Sequence, residues 1–349
     1  MRAITIDPGV KDSADLEEFP EPDPSEGAIL VDGVALGICG TDAEIVHGDY
    51  GEAPPGAERL ILGHESLGRV AEAPGGSGFA PGDLVVGIVR RPDPEPCASC
   101  AAGEWDFCRN GRYTERGIKA LHGFGSERWR IEPEFAVKLD PALGGLGVLM
   151  EPTTVVAKAW EQIDRIAQRA TIAPRRVLVT GAGPIGLLAA LLGAQRGLEV
   201  HVLDRATDGP KPELVRDLGG HYFTGGVRDL DPPADVIIEA TGASAVVVDA
   251  MSCTAPNGIV CLTGISSGGH TIELDAGILN RSIVLENDVV FGSVNANRRH
   301  YEAAAAALAA ADRAWLERLI TRRVPLDSWH DALTRQDHDI KVVVELGAA

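Results

Sequence analysis

Cys39 in the turn GICGTD and His64 in the turn LGHESLG are a thiol and an imidazole set among glycines, and Glu151 in LMEPTTV offers a carboxylate. Thiolate sulfur, imidazole nitrogen and carboxylate oxygen are donors that zinc accepts. Three of them leave a fourth position open to water or a substrate oxygen, as in a catalytic ion site. Each residue alone has a plainer reading: a cysteine packs as a small apolar side chain, a histidine is satisfied by a hydrogen bond, and a Glu before Pro begins a helix. Taken together in their glycine-rich contexts, the three favour a metal.

A second chemistry lies in Gly181-Ala182-Gly183-Pro184-Ile185-Gly186, which follows the apolar run RVLVT and precedes LLAALLGAQRG. The first glycine permits a tight turn, the second lets the backbone approach a pyrophosphate, and the third packs helix on strand, so that the helix N-terminus faces the anion. Asp204 closes the next apolar run, where its carboxylate can accept from the adenosine ribose hydroxyls and would repel a 2′-phosphate. NAD is therefore the preferred cofactor. Arg205, next in the chain, can instead pair with a 2′-phosphate and keeps NADP as the alternative. The bland reading of Asp204 is a solvated residue at a strand end.

The elements that must hold these groups differ along the chain. Residues 1 to 150 carry short β-type runs, GAILVDGVAL and GDLVVGIV, broken by Pro and Gly, which predict a loop-rich, mainly β unit. From TVVAKAWEQIDRIAQRA onward, helix-compatible segments alternate with the apolar runs RRVLVT, LEVHVLD, DVIIEAT, GIVCLTG and VVFGSVN, which predicts βαβ units and a parallel sheet. HYEAAAAALAAADRAWLERLI reads as one helix, and KVVVELG as a strand that could return to the first unit.

The 349 residues predict two domains, and the 45% hydrophobic content supports ordinary cores. A formal charge of -19 argues against a nucleic-acid partner. No apolar run is long enough to span a bilayer and the N-terminus is polar too early for a signal-peptide core, so the expectation is a cytoplasmic protein away from membranes. The cysteines, three of the six in one short segment, read as metal ligands in a reducing compartment. Cys253 and Cys261 read as apolar core residues.

GICGTD, GHESLG, PGDLVV and GAGPIG, in that order, resemble the zinc-dependent medium-chain dehydrogenase/reductase superfamily over essentially the whole chain. Glu44, VRRP, YTERGI, LHGFGSE and GSVNANRRHYEAA are similar to archaeal-type glucose 1-dehydrogenases. The resemblance implies an α/β protein with a GroES-like, mainly β catalytic domain over residues 1–153 and 298–349. A Rossmann domain with a doubly wound parallel sheet would occupy 154–297. It further implies that Cys39, His64 and Glu151 hold the catalytic zinc, that Glu65 lies in or just outside its coordination shell, and that Thr41 hydrogen-bonds the reacting hydroxyl. Glu44 stands where many alcohol dehydrogenases carry a proton-relaying histidine, with His47 a nearby candidate. Thr241 joins the cofactor residues.

In the same resemblance Cys97, Cys100 and Cys108 follow a structural-zinc lobe that normally has four cysteines. Pro94 occupies the missing position, so Asp93 or Glu95 is left to complete the site, if it holds zinc at all. Glu115 is expected to accept from sugar hydroxyls, and Asn295, with Asn297 or His300, to close over substrate and cofactor. Arg90 and Arg91 either pair with surface acids or grip an anionic substituent. The implied activity is oxidation of a glucose-like aldose at C1 to the lactone with hydride transfer to NAD(P), in a homodimer or homotetramer. A polyol or secondary alcohol dehydrogenase is the alternative enzyme, and a dinucleotide-binding sensor without turnover the non-enzyme alternative.

Overall fold

A computed structural model describes residues 1–171, 173–266 and 271–347. The chain forms two compact units, one of Met1–Thr154 with Asn295–Ala349 and one of Val155–Val294.

The first unit is built on the strand Ile29–Ile38, which is buried at eight of its ten positions and therefore covered on both faces. It pairs antiparallel with Glu65–Glu72 along one edge and with Lys341–Glu345 along the other, while Arg128–Ile131 pairs with its first residues. Leu84–Gly87, Ala136–Lys138 and Ile320–Pro325 extend the sheet to seven strands. KVVVELG thus closes the sheet from the far end of the chain, as its β-branched run implies.

Register decides chemistry here. Gly37 lies opposite Glu65, and a Cβ on Gly37 would stand 2.0 Å from Glu65 Oε2, so only glycine leaves room for that carboxylate. HYEAAAAALAAADRAWLERLI is two helices, not one: Arg298–Ala309 and Arg313–Leu319. Asp312 divides them by accepting from the Trp315 backbone N–H at 2.9 Å, an N-cap that stabilises a new helix start within an otherwise helix-prone run.

The second unit is a six-stranded parallel sheet with helices. Its strand order is His221–Phe223, Glu199–Leu203, Arg176–Thr180, Ala234–Glu239, Thr254–Leu262, Val289–Gly292. The order reverses beside Arg176–Thr180, the switch point at which doubly wound sheets take ligands. Arg176–Thr180 is buried at four of five positions, and Leu178, Ile237 and Val260 from neighbouring strands form one apolar core with Ala250. Cys261 belongs to the buried core and Cys253 packs against its margin.

Candidate metal centre and dinucleotide turn

Cys39 is the N-cap of the helix Gly40–Val46, and its sulfur accepts from the Thr41 backbone N–H at 3.3 Å. His64 ends the loop before Glu65–Glu72, next to Gly63 at φ +92°. These two turns bring Cys39 Sγ within 3.1 Å of His64 Nε2. With Glu65 they form a cluster whose ligand atoms all lie within 4.8 Å of one another. Glu151, in the first turn of the helix Met150–Ala167, is outside that compact set but is coupled to its charges.

On the other side of the imidazole, His64 Nδ1 stands 3.5 Å from Asp42 Oδ1, and beyond that approach neither atom has a hydrogen-bond partner among the described residues. Burial opposes a charge on His64, yet Cys39 and Asp42 raise its pKa well above the ordinary value. Burial, with help from Glu65 and Asp42 and against His64 and Lys341, pushes the Glu151 carboxyl up to about 7. Protons are thus drawn into a buried nest of anionic donors, which is the electrostatic setting that a divalent cation satisfies. The sulfur, nitrogen and oxygen donors fit zinc, and Asp42 lies behind the imidazole, where a carboxylate can orient a metal-bound histidine.

Glu65 has a second attachment. Lys341 Nζ, from the returning strand, donates to Glu65 Oε1 and Oε2 at 2.7 and 2.6 Å and to the Ile38 carbonyl at 2.9 Å. Both side chains are almost wholly buried. Thr41 and Glu44 follow Cys39 on the same short helix at a spacing that shares one face; Glu44 is exposed. His47, also exposed, sits with Nδ1 2.9 Å from the Ala43 carbonyl at the end of that helix.

Arg90 and Arg91 are both buried. Arg90 donates from Nε and Nη2 to Glu115 Oε1 at 3.1 and 3.0 Å while its guanidinium covers the Tyr113 ring, and Arg91 binds half-buried Glu132. Asn295 Nδ2 donates to the same Glu115 Oε1 at 2.5 Å. All three bonds go to Oε1, and among the described residues none goes to Oε2. Asn297 and His300 are used internally: Asn297 Nδ2 donates to Asp106 Oδ1 at 2.6 Å, and the Asn297 backbone N–H donates to His300 Nδ1 at 3.0 Å.

Cys97, Cys100 and Cys108 come together with their sulfurs within 4.8 Å of one another, a set that can hold three corners of a tetrahedron. Asp93 is buried beside them, with Oδ1 accepting from the Glu95 N–H at 2.9 Å and Oδ2 3.4 Å from Arg112 Nε; it is not in the compact set.

The glycine turn has the geometry its sequence requires. Gly181 has φ +88°, and a Cβ on Gly186 would lie 1.7 Å from the Gly181 carbonyl oxygen, so both positions demand glycine. Gly183 caps the helix Pro184–Gln195, which begins with Pro184 and Ile185. Asp204 is tied to this turn: Oδ2 accepts from the Ala182 N–H at 2.6 Å and Oδ1 from the Ala206 N–H at 3.0 Å. Lys211 Nζ lies 3.5 Å from Asp204 Oδ1, and Arg205 is exposed alongside. Thr241 donates its N–H and hydroxyl to Glu239 Oε1 at 2.8 and 2.5 Å, and Glu239 also accepts from Thr180 under the turn.

Asp42, Lys341, Lys211 and Glu239 take part in these sites without standing out in the sequence. Asp42 had a signal, an acid three residues after a potential helix cap, and Glu239 ends an apolar strand at the switch point. Lys341 had none, because its partner lies in another part of the chain.

A metal-donor cluster in a mainly β unit, together with a doubly wound sheet carrying a glycine turn, defines the medium-chain dehydrogenase class. The profile described as alcohol dehydrogenase GroES-like domain matches residues 25–141, and that described as glucose dehydrogenase C-terminus matches 144–346. A glucose 1-dehydrogenase of Methanocella arvoryzae is 41% identical over the whole of both chains, and one of Thermoproteus tenax is 40% identical over 99% of each. The solved structure of Haloferax mediterranei glucose dehydrogenase in complex with NADP, Zn and gluconolactone is 31% identical over the whole of both chains, with a TM-score of 0.92. The chain belongs to the glucose dehydrogenase family of zinc-dependent medium-chain dehydrogenases, and it is a nicotinamide-dependent oxidoreductase acting on CH–OH.

Proposed function

We propose that the protein oxidises a glucose-like aldopyranose at C1 to the lactone, passing hydride to NAD(P), with Cys39, His64 and Glu151 holding zinc and Glu65 beside it. The observation that carries this reading is the donor cluster of half-buried Cys39 with buried His64 and Glu65, in which His64 Nδ1 faces Asp42 at 3.5 Å. A bound zinc ion supplies Lewis acidity that lowers the pKa of a hydroxyl, and the dinucleotide supplies the hydride acceptor.

The chain's own residues do the rest. Glu115, held by Arg90 and Asn295 through Oε1, keeps Oε2 as an acceptor for a sugar hydroxyl, the interaction an aldose needs and a simple alcohol does not. Thr41 and Glu44, one turn apart, form a path by which a hydroxyl proton leaves toward water, Glu44 being the exposed end. Lys341 fixes the Glu65 carboxylate, so its charge stays in place as the proton departs. Asp204 favours NAD by disfavouring a 2′-phosphate, while Lys211 and Arg205 beside it supply the cations that let NADP serve as well. The three-cysteine lobe would hold a second, structural zinc, with nearby Asp93 as the candidate fourth donor.

The enzyme acts as a homo-oligomer, dimer or tetramer. Ile278, Val284 and Leu285 on the helix Ala276–Glu286 are exposed beside an edge strand, Val289–Gly292, a combination a second copy of the chain would cover.

Aldoses, phosphorylated sugars and polyols, each with NAD and NADP and read by reduced-nicotinamide absorbance, test the substrate. Aldose oxidation that falls by orders of magnitude in Cys39→Ser, with loss of one zinc per chain, is expected. Turnover of polyols or secondary alcohols without aldoses would overturn the substrate reading, and full activity in demetallated protein would overturn the metal reading.

A further inference from the structure

His201 and His221 sit directly opposite each other on adjacent parallel strands of the second unit, and Glu199 lies two residues before His201, on the same face of its strand. Their ligand atoms all lie within 4.8 Å of one another. The two imidazoles stack with centroids 4.8 Å apart and planes 23° apart. Glu199 Oε1 is 2.8 Å from His201 Nε2, and the carboxylate also accepts from Arg176 Nη2 at 2.9 and 3.0 Å, across the neighbouring strand. This group is at the start of the strands, whereas the glycine turn and Asp204 are at their ends.

We propose that Glu199, His201 and His221 form a binding site for a divalent transition ion of the class that favours imidazole, such as zinc or nickel, separate from both cysteine centres. An ion at the shared edge of the two rings would accept an in-plane lone pair from one nitrogen of each, and Glu199 either completes the set or orients His201 from behind. Burial lowers the pKa of His201, with His221 and Arg176 adding to the effect against Glu199, a direction that favours the neutral ring ligation requires. His221 is exposed, which gives the ion a route in and leaves coordination positions for water. The site would staple the three-residue edge strand His221–Phe223 to Glu199–Leu203, where few backbone bonds hold it. The cation of Arg176, paired with Glu199, competes with the metal and sets a modest affinity.

Nickel titrated into zinc-loaded full-length protein, followed by calorimetry and by thermal unfolding, tests the site. Wild type should bind one nickel ion more than His221→Asn or His201→Asn, and nickel should raise its unfolding midpoint above theirs. Glu199→Gln should weaken that site by about tenfold or more, and Arg176→Gln should tighten it by removing the competing cation. Equal nickel counts in wild type and His221→Asn, an exposed position whose loss leaves the core intact, would overturn the proposal. So would an unchanged affinity in Arg176→Gln. Sugar oxidation is expected to be the same in wild type and His221→Asn, which separates this test from that of the catalytic centre.

Discussion

Lys341→Met removes the ammonium that holds both oxygens of the buried Glu65 carboxylate. Lys341 Nζ reaches both Glu65 oxygens at 2.7 and 2.6 Å, and the two side chains are 1% and 3% exposed. Methionine keeps length and apolar bulk, so the change is chiefly one of charge. Breaking one half of a buried ion pair leaves the other charge desolvated and costs about 3–5 kcal/mol. For a unit of this size each kcal/mol lowers the midpoint by about 2–4 °C, so the first thermal transition should fall by roughly 6–20 °C. The double variant Lys341→Met with Glu65→Gln should recover much of that loss, because no buried charge remains unpaired. Zinc-loaded protein followed by circular dichroism at neutral pH, with urea midpoints as a check on the slope, measures both. A single variant within about 1 kcal/mol of wild type would refute the reasoning, since a pair that could be broken so cheaply would have to be solvated. So would a double variant that is as unstable as the sum of the two single ones.

Asp204→Ala should raise NADP use relative to NAD, and Lys211→Ala should lower it, as read from the ratio of kcat/KM for the two dinucleotides; an unchanged ratio in both removes this pair from cofactor choice. Leu285→Glu, at a position 60% exposed on the helix Ala276–Glu286, should shift the protein toward monomer in light scattering without lowering its unfolding midpoint, and an unchanged mass would place the self-association surface elsewhere. Asp339 is held below the ordinary carboxylate value because, against its burial, it accepts from Arg322 and from the Gln336 N–H. A carboxyl with a lowered folded pKa contributes stability above its unfolded pKa of about 3.9 and loses it as pH falls through the folded value. Wild type should therefore exceed Asp339→Asn by about 1 kcal/mol from pH 5 to 7. The gap should close below pH 4, and a gap that widened there would contradict the assignment.

Local chemistry was legible in the chain wherever the constraint was local. The glycines of GAGPIG are dictated by a turn within six residues, and Gly181 and Gly186 are positions where a side chain would collide with the turn's own backbone. The alternation of RVLVT, LEVHVLD and DVIIEAT with helical segments is enough to specify parallel strands in a two-sided core, because each element must bury its own apolar face. Cys39 and His64 stand out as candidate metal donors for a similar reason: glycines on either side leave room for close approach, and the two turns do bring them within 3.1 Å of each other.

What the sequence by itself determined, then, is the kind of element at each point and the donor types available to bind metal and dinucleotide. Only the tertiary structure decided which side chains meet across long intervals of chain. Lys341 faces Glu65 because the last strand pairs with Ile29–Ile38 in one particular register. Arg90 closes on Glu115 instead of a surface acid, and Asn295 joins them from 180 residues away. The physical reason is that propensity and periodicity act over a few residues, whereas a buried charge is neutralised by whichever partner the packing of distant strands brings within about 3 Å.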